Sequence, residues 1–175
     1  MTALRTLYIT VLLCIVGIPA MALMVALGTE DLTRGADVVI RGKVSQVKAQ
    51  WSEDGKKIVT RSEVNVSEYV KGVGTSSVVV EQLGGEVDGM GLMVSDTVYL
   101  KTGDEVLLFL EEKKDKVRSA DTGVYTVVGS AQGIYAIDRE GKAVKGGFSL
   151  ANSPQSVDYS IEVKELIKKI KDVSR

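Results

Sequence analysis

Residues 81 to 96 read EQLGGEVDGMGLMVSD, with four glycines in eight positions and three acids, Glu86, Asp88 and Asp96, after the glycine pair. A stretch of this kind invites three chemistries. A phosphate cradle needs a lysine followed by Ser or Thr and a helix whose N-terminus faces the anion. Neither is present, and the acids would repel phosphate. A calcium loop needs acids at short regular spacing, and Glu86, Asp88 and Asp96 match no standard loop. What remains is a bend: Gly84 and Gly85 as a bulge where a strand leaves its sheet. Met90, Leu92 and Met93 beside those glycines suit an adaptable apolar rim for a partner, since methionine accommodates varied surfaces. The same residues would serve as a cap on the core. Trp51, beside the turn SEDGKK, reads either as an exposed contact residue or as a plug at one end of the fold. The expected binding residues are therefore Trp51, Gly84, Gly85, Glu86, Asp88, Met90, Leu92 and Met93, with no metal and no cofactor.

Composition narrows the rest. Lys plus Arg number 22 and Asp plus Glu 23 in 175 residues, so no net field draws in nucleic acid or an anionic membrane. Histidine is absent, which removes Ser-His-Asp and Cys-His catalysis and imidazole zinc sites. The one cysteine, Cys14, lies in an apolar N-terminal run, leaving the remainder without thiol, thiolate ligand or disulfide. Single-strand nucleic-acid binding needs a basic groove with stacking aromatics, and the chain has one Trp and two Phe. Catalysis is left with Ser-Lys pairs, carboxylate pairs or a hard metal held by oxygens. No catalytic residue is assigned.

The chain is uncharged from Leu7 to Leu27, after Arg5. Roughly 20 such residues span a bilayer as a helix, and the same run reads as a signal peptide. Ala20-Met21-Ala22 offers a cleavage site and Ala26-Leu27-Gly28 a later one. Both readings stay open, and both place residues from about 29 onward outside, because Arg5 precedes the run while Glu30 and Asp31 follow it. The expected location is extracytoplasmic, secreted or anchored. A lipoprotein is disfavoured because Leu13 precedes Cys14.

The elements that must position any site follow. TEDLTRG predicts a short helix, Thr29 its cap and Gly35 its stop. In ADVVIRGKVSQVKAQW, Val38, Ile40 and Val44 hold even positions, while Val47, Ala49 and Trp51 hold odd ones. That change of phase predicts a bend near Ser45 and Gln46. SEDGKK, with Asp54-Gly55, turns into a return strand bearing Ile58, Val64, Val66 and Val70 on one face. SSVVVEQL is the third strand. A turn at Thr102 to Asp104 precedes Val106 to Leu110, an unbroken apolar run expected of a strand buried on both faces. EEKKDKVRSADTG reads as a solvated loop, VYTVVGSAQGIYAI as a strand with glycine bends, and Arg139 to Gly141 as a hairpin. ANSPQS is a linker. SIEVKELIKKIKDV predicts an amphipathic helix with Ser160 as cap, Val163, Leu166, Ile167 and Ile170 inward, and Lys164, Lys168, Lys169 and Lys171 on the wet face.

These elements describe a mainly β protein: a small closed or partly open OB-like β-barrel with a C-terminal amphipathic helix, preceded by an N-terminal hydrophobic segment. An open β-sandwich is the alternative. The expected organisation is 1–28 as signal or anchor, 29–150 as barrel, and 151–175 as linker and packing helix. The series ADVVIRGKV, YVKG, GGEVDGMG, GDEVLLFL and YTVVGSAQGIYAI resembles an exported domain of uncharacterised microbial proteins, over about residues 29 to 140. More distantly, it is similar to the OB-type barrel of netrin modules and tissue inhibitors of metalloproteinases. Those inhibitors act through an N-terminal cysteine and disulfides that this chain lacks, so only the fold carries over. The function expected is a non-catalytic exported domain binding an envelope protein or surface polymer, with no nucleic acid partner. A Ser-Lys or carboxylate-pair envelope hydrolase, or an enzyme's accessory, is the alternative.

Overall fold

Fourteen residues without a break form the first strand, Val38–Trp51 (β1), which pairs with an equally long return strand, Ile58–Lys71 (β2). The structure, a computed structural model, describes residues 25–114, 121–148 and 157–175. The apolar run before residue 25 and the ANSPQS linker lie outside the described residues. Among those described, no helix is long and apolar enough to cross a membrane.

The protein is mainly β, and the described residues form one eight-stranded sheet, a separate two-stranded sheet and two α-helices. After β2 come Ser77–Leu83 (β3), Gly85–Val87 (β4), Met90–Leu92 (β5), Glu105–Lys114 (β6) and Asp121–Val127 (β7). A 3-10 turn at Ser130–Gly133 leads to Ile134–Ile137 (β8), Lys142–Val144 (β9) and Ser160–Glu162 (β10). Helix α1 is Thr29–Gly35 and helix α2 is Val163–Val173. Pairing runs β1–β2–β3–β7–β6, and β6 pairs also with β1. The β3–β7 pair is parallel; the other pairs are antiparallel.

The register explains the burial. β1 slips against β2 between Val44 and Gln46, where the apolar phase changes, so an extra residue bends the strand as expected. Along β6, Val106, Leu108 and Leu110 join a core with Ile40, Val44, Val64, Val78 and Val80. Leu107 and Phe109 point the other way, into a second core with Leu32, Val39, Tyr135, Leu166 and Ile170. That two-sided burial is why Val106–Leu110 is apolar without alternation. The second core is the space between the sheet and the two helices.

Three expectations are corrected. Thr29 is the first helical residue, with Gly28 in the cap position; its side chain is buried and bonded to Asp158 instead. Ser160 lies in β10, facing Val144 of β9, and α2 begins only at Val163. The segment EEKKDKVRSADTG is strand at both ends, since β6 continues to Lys114 and β7 begins at Asp121. Charged residues suit such a pair when their strands need only one dry face.

Candidate functional site

β3 ends at Leu83, and the next two residues turn the chain out of the sheet. Gly84 and Gly85 adopt φ of 103° and 128°, a region that side chains rarely enter. Both are also crowded. A Cβ on Gly84 would lie 2.0 Å from the Tyr99 hydroxyl and 2.7 Å from the Leu92 carbonyl; one on Gly85 would lie 2.5 Å from Thr60 Oγ1. The corner is pinned by bonds to its backbone. Gly84 N–H donates to the Ile58 carbonyl, Thr60 Oγ1 donates to the Gly84 carbonyl at 2.7 Å, and the Tyr99 hydroxyl donates to the Leu83 carbonyl at 3.0 Å. The glycine pair is thus the bend foreseen from sequence.

Beyond it, β4 and β5 form a hairpin in the register Gly85↔Leu92, Glu86↔Gly91 and Val87↔Met90. Asp88 and Gly89 make the two-residue turn, with φ of 51° and 76°. Gly85, Glu86, Gly91, Leu92, Met93 and Tyr99 line a shallow groove of about 410 Å³. Met93 at its edge is 94% exposed and Met90 52%. Glu86, Asp88 and Asp96 form no ion pair among the described residues.

Of the residues singled out by sequence, Gly85, Glu86, Leu92 and Met93 therefore share one groove. Gly84 lies beneath it and Asp88 is in the turn. Met90 pairs with Val87, in a different cross-strand pair from Glu86 and Gly91. Trp51 ends β1 opposite Ile58 and is 38% exposed; it does not line the groove. Sequence reading missed Gly91, the floor, and Tyr99, the wall. Tyr99 sits in TVYL, whose strand-like composition hid a residue that reaches back to Leu83. No group of three acids among the described residues is placed to hold a metal ion.

A second polar cluster was not visible in the sequence. Lys145 is 5% exposed, and its Nζ has no hydrogen-bond partner among the described residues. The amine sits 4.5 Å from the centre of the Tyr135 ring. Burial pushes the Lys145 amine down to about 8, against the pull of Asp158. Burial likewise raises the Tyr135 phenol above its ordinary range. The Tyr135 hydroxyl is 3.4 Å from Thr29 Oγ1, which donates to Asp158 at 2.9 Å; Lys169 donates to the same carboxylate at 3.0 Å. Asp158 so ties α1 to α2. The Thr29 hydroxyl proton is committed to Asp158, and the lysine faces a ring. A cleft of about 510 Å³ opens beside Thr29 and Asp158, but Lys145 does not line it.

No protein-family model matches the chain, and no curated protein matches it. The functional reading therefore rests on the two sites themselves.

Proposed function

We propose that the chain is an exported, non-catalytic binding domain built on an OB-type barrel, and that the β4–β5 groove takes the partner at the cell envelope. The barrel reading is supported by the pairing order β1–β2–β3–β7–β6 returning to β1, with one parallel pair between β3 and β7. A five-stranded Greek-key barrel has that kind of closure. One continuous main sheet favours it over a sandwich.

Gln132 bears on where an N-terminal cleavage could fall. Its side chain accepts from Leu27 N–H at 2.8 Å and donates to the Val25 carbonyl at 2.9 Å, and Leu27 packs on the helical core. Residues 25–27 belong to the fold, so a cleavage after Ala22 would spare these contacts and one after Gly28 would remove them; an uncleaved anchor would also keep them.

One observation carries the binding function: Met93 stands 94% exposed at the rim of a groove floored by glycine. With Met90, 52% exposed on the same hairpin, it sets two apolar side chains beside the groove, and adjacent exposed apolar surface suits contact with a partner. The test is retention from the envelope fraction on the immobilised chain, compared with a Met90→Asp/Met93→Asp chain. A protein or polymer held saturably by the parent and lost from the variant supports the reading. Equal retention by both chains overturns it. The hydrolase alternative would need a hydroxyl beside Lys145, and the amine there meets the Tyr135 ring.

A further inference from the structure

The hairpin turn determines which backbone groups point outward. A two-residue turn with positive φ at both positions makes its flanking residues, Val87 and Met90, a hydrogen-bonded pair. Alternation then makes Glu86↔Gly91 a non-hydrogen-bonded pair, so the N–H and C=O of Gly91 point away from β4. On that side no strand pairs with β5 among the described residues. Nor does any described residue cover the face of Gly91, where a Cβ would meet no atom within 4 Å. Glu86 stands directly across from it on the same face, and no described residue neutralises its carboxylate.

From this we infer that the groove recognises an extended peptide strand that pairs through its backbone with Gly91 and extends a Lys or Arg across that glycine to Glu86. The inference rests on reading the groove as the partner site. Strands pair about 4.8 Å apart, so a residue opposite Gly91 on an added strand lies about 10 Å from Glu86. The missing side chain at Gly91 leaves that gap open, and only a long side chain closes it. A cation is the occupant the charges select, because Glu86 lines the groove without an ion pair among the described residues and Asp88 follows it in the hairpin turn. Two positions along the peptide, an apolar side chain would cover Met93 and the Tyr99 ring. Pairing of this kind draws affinity from main-chain bonds and specificity from alternate side chains. A second copy of the chain fits poorly, since a symmetric edge contact would bring both sets of Glu86, Asp88 and Asp96 together.

The probe is a capped hexapeptide of alternating Val and Lys, titrated into the full chain by calorimetry. Its controls are a Val-Glu hexapeptide and a Val-Lys hexapeptide N-methylated at alternate residues. Saturable binding of the Val-Lys peptide is expected, with N-methylation weakening it more than about tenfold through lost backbone bonds. Glu86→Gln should weaken it by up to about fivefold, the size of an exposed ion pair. Glu86→Lys, at an exposed position, should reverse the preference toward the Val-Glu peptide. Absence of binding by the Val-Lys peptide, indifference to N-methylation, or an unchanged preference in Glu86→Lys overturns the inference. So does dimerisation through this edge in sedimentation, abolished by Glu86→Lys. If the Met90→Asp/Met93→Asp chain loses an envelope ligand while the peptide fails to bind, the groove remains the partner site and only the strand-pairing inference falls.

Discussion

Replacing Lys145 with methionine should make the protein more stable, and the gain should depend on pH. The lysine is 5% exposed with an amine that has no hydrogen-bond partner among the described residues. Burial lowers that amine from 10.5 to about 8 in the folded chain. Between those values the unfolded chain holds a proton that the folded chain has released, so stability rises with pH across that window. Below pH 8 both states are protonated, and the cost of the buried charge is present in full, about 3 kcal/mol from the size of the shift. Methionine keeps the length and apolar stem but forgoes the contact with the Tyr135 ring, worth about 0.5–2 kcal/mol. The net expectation at pH 7 is a gain of about 1–3 kcal/mol. Urea unfolding of both chains from pH 6.5 to 10 measures it. The range stops at 10 because Tyr135, raised by burial, begins to lower stability above that. The difference between the chains should be largest at pH 7 and shrink steadily from pH 8 upward. A difference that stays constant with pH, or a Lys145→Met chain less stable at pH 7, would refute the assignment of Lys145 as an unsatisfied buried amine.

Other substitutions test the frame and the corner. Gly84→Ala combines positive φ with a Cβ 2.0 Å from the Tyr99 hydroxyl and should cost about 2–4 kcal/mol in urea unfolding. Gly91→Ala, where a Cβ meets nothing within 4 Å, should change stability by less than about 1 kcal/mol. Glu81 is 8% exposed; burial works to raise its carboxyl, but bonds from Lys113 and Arg61, the latter at 2.9 Å, outweigh burial and hold it below its usual range. Glu81→Gln should then cost about 1–2 kcal/mol at pH 7. That cost should vanish as pH falls through the folded carboxyl's range, because the stabilisation exists only above it. Leu108→Ala empties a fully buried place in the β6 core and should cost about 2–5 kcal/mol by chemical denaturation.

Features carried by local pattern were legible before the structure. The phase change in β1 announced its bend at Ser45, and the unbroken run Val106–Leu110 announced a strand with two cores. Gly84-Gly85 announced the corner. What stayed hidden depended on residues distant in the chain. Ser160–Glu162 follows good helix-capping grammar, yet it pairs with Lys142–Val144, and only the fold brings that strand near. Thr29 has the composition of a cap, but Asp158, far along the chain, takes its hydroxyl. Lys145 sits in KAVKGG, where nothing separates a buried lysine from a solvated one. Gly91 looked like one more flexible link; its value as an open floor comes from the register with Glu86.

Two positions break the rules that govern the rest of the chain, and they do so differently. Lys145 is a polar group in an apolar place, and the surroundings partly compensate: the Tyr135 ring faces the amine and Asp158 pulls toward its charged form. That site looks inward, its neighbours are occupied, and its removal should help folding. Met93 is an apolar group in a wet place, and no described residue covers it. It borders open backbone at Gly91 and an unneutralised carboxylate at Glu86, three kinds of unmet demand on one face. A fold tolerates an isolated violation as noise, but adjacent violations that one partner could satisfy together mark where function resides. By that criterion the groove, and not the buried lysine, is the place we propose for a ligand.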